Sequence, residues 1–182
     1  LALALTGFLP SLAQADFVSY TATLTSGSPT FNRPLSGTPP TTLSAVGTNV
    51  YYNLQPFYVT VSGSYSMETV APSAISDTFL VLYQNAFNPA SPLSNAVSAD
   101  DDSGADLLSL IGPIGLTAGV QYYLVTTTFD NGVTGSTTVQ IGTTTMGVTP
   151  VLGIVPEPGS LALAGLGLSV VAGMAFRRSR RS

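Results

Sequence analysis

Between Phe17 and Ile141, short runs of mostly alternating apolar and polar residues are separated by Gly, Pro, Asn and Ser. A repeat of two marks a half-buried strand, whereas a helix would repeat every 3.6 residues. Phe17 to Leu24 places Val18, Tyr20, Ala22 and Leu24 on one face. Ser26 to Pro40 is broken by four prolines and predicts a loop or an edge segment. Val50 to Val61 is rich in aromatic and β-branched residues. Pro56 in its middle cannot donate to a ladder, which predicts an edge or a bulge. After a Ser62-Gly63-Ser64 turn comes a strand at Tyr65 to Val70. Thr78 to Gln84 (TFLVLYQ) is almost continuously apolar and predicts a core strand. Asn85 to Ser94, with two prolines, predicts a loop. Asn95 to Ala99, Leu107 to Ile111, Val120 to Phe129 and Thr134 to Ile141 complete the set. Asp130-Asn131-Gly132 predicts a tight hairpin between the last two.

About eight short strands with frequent turns give an all-β domain over residues 16–141, an antiparallel β-sandwich or jelly roll. Residues 142–154 are rich in Thr and Gly and predict a flexible linker.

The two ends have a different character. Residues 1–15, LALALTGFLPSLAQA, are an apolar run closed by Ala13-Gln14-Ala15, the small-x-small pattern of a signal-peptidase site. This predicts a signal helix, truncated at its start, and a mature chain beginning at Asp16. Residues 155–182 fall into three parts. The first is the stiff tetrapeptide Val155-Pro156-Glu157-Pro158, kept extended by its prolines. An apolar stretch over residues 160–176 follows, uncharged from Leu161 to Phe176. Sixteen helical residues rise about 24 Å, somewhat less than the roughly 30 Å of a hydrocarbon core. Arginine snorkelling covers that shortfall. Last comes the basic end 177–182, where Arg177, Arg178, Arg180 and Arg181 are four of the five basic residues of the chain. Arginines there act as a cytoplasmic stop behind a single transmembrane helix in the inner membrane.

These three parts, in this order at the C-terminus, resemble the PEP-CTERM sorting signal of Gram-negative bacteria. The resemblance implies recognition by an exosortase, a membrane cysteine protease. It also implies an exported protein, transiently membrane-anchored and then at the cell surface or extracellular. Proteins of that system are often linked to exopolysaccharide and biofilm.

Composition narrows the chemistry. Charged residues are only 8% of the chain, and His, Cys and Lys are absent. Between Asp16 and Ile154 a single basic residue, Arg33, faces eight acidic ones. Such a domain repels nucleic acid and anionic lipid. Without His, Cys or Lys the common general bases and activated nucleophiles are missing, so the expectation is a non-enzymatic protein. Asp102-Ser103-Gly104 matches the aspartic-protease tripeptide, but those enzymes need two such Asp and only one copy occurs.

The one dense polar cluster is Asp100-Asp101-Asp102-Ser103-Gly104-Ala105-Asp106. Consecutive carboxylates repel unless solvated or neutralised by a cation, and calcium takes six to eight oxygens. Asp100 and Asp102 share a direction in extended chain, Asp106 could return across the turn, and Asp77 could join from a neighbouring strand. These four form the candidate calcium set, against the plainer reading of a solvated loop. Residues 63–142 also resemble the bacterial pre-peptidase C-terminal-like β-sandwich through Gly63-x-Tyr65, the DT-x-L-x-LY strand opened by Asp77, the DDDSG turn and LTAG-x-x-Y-x-LV. That resemblance implies a secreted accessory module, some of which bind calcium or polymers. Outward rings among Tyr51, Tyr52, Phe57, Tyr58, Tyr122 and Tyr123 are candidates for a carbohydrate face, though ordinary core packing accounts for them as well. The expectation is an exosortase-sorted surface protein of an exopolysaccharide matrix; a secreted carbohydrate- or calcium-binding module is the alternative.

Overall fold

The computed structural model describes residues 16–143 and 147–156. Every regular element in them is a strand. The longer ones are β1 (Asp16–Leu24), β4 (Asn53–Tyr58), β5 (Gly63–Val70), β6 (Thr78–Gln84), β7 (Ala96–Asp100), β8 (Leu110–Leu116), β9 (Gln121–Thr128) and β10 (Gly135–Thr143). Two-residue pieces are β2 (Thr30–Phe31), β3 (Val50–Tyr51) and β11 (Val151–Leu152). Eight strands of five residues or more agree with the number read from the sequence. The predicted signal helix 1–15 and membrane helix 160–176 lie outside the described residues. Among the described residues no helix is long and apolar enough to cross a membrane.

Two antiparallel sheets face each other. One has the order β1-β10-β5-β8, the other β11-β4-β9-β6-β7. Between them lies a core of Ala22, Tyr65, Met67, Ile111, Val139 and Ile141 from the first sheet against Phe57, Leu80, Leu82, Tyr122 and Leu124 from the second. The alternation expected of β1 holds: Ala22 and Leu24 are buried, while Phe17, Ser19, Thr21 and Thr23 are exposed.

The TFLVLYQ run has a clear physical cause. Strand β6 is covered on both faces. Leu80 and Leu82 enter the main core, and Phe79, Val81 and Tyr83 enter a second cluster with Phe31, Val50 and Val125. The segment from Phe31 to Val50 forms the cover over this outer face. The Pro34–Leu43 bridge folds this segment on itself, and the Gly37–Ala99 bridge fastens it to β7, blunting that strand's exposed edge.

Hydroxyls do much of the cross-linking in this charge-poor chain. The Thr69 and Thr78 hydroxyls meet at 2.8 Å, and both accept the Ser109 amide at 2.9 Å, tying β5, β6 and the approach to β8 together below the surface. Tyr20 meets Thr126 across the sandwich at 3.2 Å.

Three expectations are corrected. First, Asp130-Gly132 is no hairpin, because β9 and β10 belong to different sheets. The Asn131 side chain instead pins the 46–49 loop, accepting from the Asn49 amide at 2.7 Å and donating to the Val46 carbonyl at 3.1 Å. Second, β8 runs through Gly112-Pro113 rather than ending at Ile111. As an edge strand it tolerates a proline, and the pairing shifts past Ser66 at this point. A side chain at Gly112 would lie 2.8 Å from the Ser66 Cα. Third, residues 142–154 are not a free linker. Gly142 and Thr143 finish β10, and Val151–Leu152 add a strand to β4.

Candidate functional site

The acidic turn joins β7 to β8. Asp100 closes it as a backbone staple: its carboxylate accepts the Ser103 amide (3.2 Å), the Leu110 amide (2.7 Å) and the Ser103 hydroxyl. Gly104 lets the turn tighten, since a Cβ there would fall 2.5 Å from the Leu108 carbonyl. The chain reverses at Asp101, so the expected parity of Asp100 with Asp102 is lost. Asp101 and Asp102 instead converge with Asp77, which stands just before β6, and one carboxylate oxygen from each lies within 4.8 Å of the others. Of the four residues expected from the sequence, Asp77 and Asp102 meet, Asp100 is spent on the turn, and Asp106 is exposed in a left-handed conformation (φ 56°) outside the group. Asp101 is the member the sequence reading missed.

Asp77 and Asp101 each hold one buried oxygen without a hydrogen-bond partner among the described residues. Burial, with Asp102, Asp77 and Asp100 close by, pushes the Asp101 carboxyl up to about 6, against the pull of Arg33. Asp77 moves the same way, from burial and from Asp102 and Asp130. Orphaned oxygens and raised affinities for a proton are what a three-carboxylate cluster has when its counter-charge is incomplete. A hard cation suits an all-oxygen donor set of this kind.

Arg33 is the partial counter-charge, and no motif in its neighbourhood signals its place. It is fully buried. Its guanidinium lies 4.2 Å from the Phe79 ring centre and 4.5 Å from that of Phe129. Nε donates to the Phe129 carbonyl at 3.1 Å and an Nη to the Pro34 carbonyl at 3.2 Å. Gly47 makes room for it, since a Cβ there would sit 2.5 Å from Nε.

The aromatic residues fall differently from a sugar-binding row. Phe57 and Tyr122 are buried and stacked, with centroids 5.7 Å apart. Tyr52 packs edge-on against Phe31 and Phe87. Tyr51, Tyr58 and Tyr123 are half-buried. Among the described residues the exposed ring is Phe17, at 47%. It borders an open trough of about 520 Å³ on the outer face of the four-stranded sheet, together with Pro113, Gly142, Glu68, Gln140 and Ser66. Gly142 lies between Phe17 on one neighbouring strand and Ser66 on the other, and having no side chain it leaves the floor low.

The C-terminal end of the described chain is fastened to the sandwich. Val148 donates its amide to the Asp16 carboxylate at 3.0 Å. Val151 and Leu152 pair with Tyr58 and Phe57, and the Gly153 amide reaches the Pro56 carbonyl at 2.8 Å. Gln121, the first residue of β9, then grips the chain with both ends of its carboxamide. Nε2 donates to the Gly153 carbonyl (3.3 Å), and Oε1 accepts the Val155 amide (2.7 Å). Pro156 follows, exposed.

Residues 155–181 match the PEP-CTERM protein-sorting motif. The match begins at the residue Gln121 holds. It supports exosortase-dependent sorting of an exported or surface protein. No curated protein matches the chain. Val155 and Pro156 of the expected motif are placed by the structure. Glu157, Pro158, Arg177, Arg178, Arg180 and Arg181 lie outside the described residues, as do Ala13 and Ala15 of the signal-cleavage site.

Proposed function

We propose that this is an exported, non-enzymatic β-sandwich that loses its C-terminal tail to an exosortase and then serves as a matrix or adhesion component in an exopolysaccharide layer. The match of residues 155–181 to the sorting motif carries the reading. The trough at Phe17 supports its polysaccharide half. A flat exposed ring beside a carboxylate, a carboxamide and hydroxyls suits the apolar face and the hydroxyls of a sugar. An open trough admits a chain at mid-length. The acidic domain favours a neutral or amino-bearing polymer over an anionic one.

The test is the mass of the mature protein from its native host, with and without the exosortase. The expected product starts at Asp16 and lacks the tail only when the protease is present. A product that keeps residues 161–182 in both strains refutes the sorting step. Co-sedimentation with isolated exopolysaccharide tests the second half, with Phe17→Ala expected to weaken it roughly tenfold, about 1.4 kcal/mol.

The second reading, a calcium-binding module, is favoured by the convergence of Asp77, Asp101 and Asp102 and by their orphaned oxygens. A cation bound only by the folded state raises the melting temperature with its concentration. Calcium at millimolar levels is expected to raise it in the wild type and not in Asp101→Asn. An equal response in both proteins rejects the site.

A further inference from the structure

We propose that β11 and the Gln121 carboxamide form a strap that must lift off the sandwich before the sorting tail can be cut. The inference rests on the reading that the tail is removed by proteolysis. It concerns what the folded domain does to that step.

Main-chain groups next to the motif are already in use. The Gly153 amide is bound to Pro56, the Gly153 carbonyl to Gln121 Nε2, and the Val155 amide to Gln121 Oε1. Val151 and Leu152 are in a ladder with β4. A protease that holds its substrate as an added strand needs such groups free and extended. Here the chain also turns at Gly153, where φ is +123°. No spacer separates the strap from the motif, because the first matched residue is itself clamped. Docked, the strap denies the enzyme the residues preceding the motif. Lifted, it supplies them. The peptide bond is then hydrolysed, water giving its hydroxyl to the new carboxyl group and its proton to the released amine.

The strap is built to lift. It is a two-residue pairing at the outer edge of a sheet. Val151 and Leu152 are only half-buried, and Ile154 is 61% exposed. Gln121 is the main fastener beyond that ladder. Its Nε2 shares its two protons among the Phe57, Tyr122 and Gly153 carbonyls, at 3.0, 2.9 and 3.3 Å, so the carboxamide is pre-oriented before the strap arrives. Its firmest hold on the strap is the Oε1 bond from the Val155 amide at 2.7 Å. Strands with few buried contacts open first in native proteins.

The experiment follows tail loss by pulse-chase of the full chain in its native host. Gln121→Ala removes the fastener. Gly153→Val disfavours the docked turn without touching the sheets, as nothing lies within 4 Å of a Cβ there. Both are expected to lose the tail roughly five to ten times faster, the equivalent of one net hydrogen bond. Val151→Cys with Tyr58→Cys, directly opposed in the pairing, is expected to lock the strap once oxidised and to keep the tail until a reductant is added. The native chain has no cysteine to interfere. Unchanged or slower tail loss in both single variants, or wild-type cleavage of the oxidised lock, overturns the strap. Tail loss that continues without the exosortase, but still at a Gln121-dependent rate, keeps the strap and refutes only the choice of enzyme. A tail never lost from the wild type refutes both. In the purified full chain, slow hydrogen exchange at the Val155 amide that becomes fast in Gln121→Ala supports the strap; equal exchange in the two overturns it.

Discussion

Strands β6 and β4 belong to one sheet, separated only by β9, yet they are held by different means. β6 is apolar at nearly every position and is buried on both faces, between the sandwich core and the cover that carries Arg33. β4 has one buried side chain, Phe57; its outer edge is covered by the two residues of β11 and the Gly153 amide on the Pro56 carbonyl, with the Gln121 side chain reaching over from β9. The strand that anchors the fold is buried on both faces, and the strand that β11 pairs with is among the least buried. A domain can stay folded while residues 151–155 come and go only if its stability is distributed in this unequal way.

The largest effect expected from this contrast is on β6. Leu82→Ala empties a fully buried position in the main core, and a loss of about 3 kcal/mol is expected from the removed contacts and the cavity left behind. Chemical denaturation should show a lower midpoint with an unchanged slope. A cost under about 1 kcal/mol would mean that β6 is not the anchor.

Arg33→Met comes next and asks whether the outer cover matters as much as the core. The variant keeps most of the side-chain volume but gives up two ring contacts and leaves the Phe129 and Pro34 carbonyls without their donor. A cost of about 2 kcal/mol is expected. The Asp101 carboxyl should titrate at still higher pH, because Arg33 is the group that holds it down. Carboxyl resonances followed by NMR would check the second point, and thermal unfolding the first. A neutral substitution would reduce the cover to packing alone.

The two regions were not equally legible in the sequence. β6 was read with its observed ends, because a run apolar on both faces admits few alternatives. β1 was read through its alternation. The strap is not legible because Val151-Leu152 is too short to show any period, and Gln121, which clamps Val155, is 34 residues from it along the chain. The Asp130-Asn131-Gly132 signal was real as a turn. Which sheet the next strand joins, however, is decided by the packing of β10 between β1 and β5, and local residues do not encode that. Of the candidate calcium set, Asp77 and Asp102 come together, and Asp100 and Asp106 do not. The error came from carrying strand parity through Asp101, where Asp100 has already turned the chain. Arg33, a lone charge in a proline-rich segment, offered no pattern at all.

Asp101→Asn should act in the opposite direction and more weakly. The folded-state affinity of Asp101 for its proton is raised, to about 6 from an ordinary 3.8. The folded state therefore binds this proton more tightly than the unfolded chain does. Its stabilising contribution is full below about pH 4 and is lost as the pH climbs through about 6. Because the carboxyl is partly exposed, solvent screening limits the cost of holding it ionised at neutral pH to roughly 1 kcal/mol, or a few degrees in melting temperature. In the absence of divalent cations Asp101→Asn should melt higher than wild type at pH 7 and show no such difference at pH 4. A wild type whose stability is flat between pH 4 and 7 would show that Arg33 neutralises the cluster completely.

The smallest effect is the one that tests the contrast itself. Leu152 packs against the main core from the strap but remains half-buried. Leu152→Ala is expected to cost about 1 kcal/mol of local stability. If the strap opens independently, that cost cannot appear in global unfolding. Hydrogen exchange should then quicken about fivefold at Val151, Gly153 and Val155, while the amides of β6 and the denaturation midpoint stay where they are. A midpoint that falls together with the exchange would make β11 part of the same cooperative unit as β6, and the division between an anchored strand and a releasable edge would not stand.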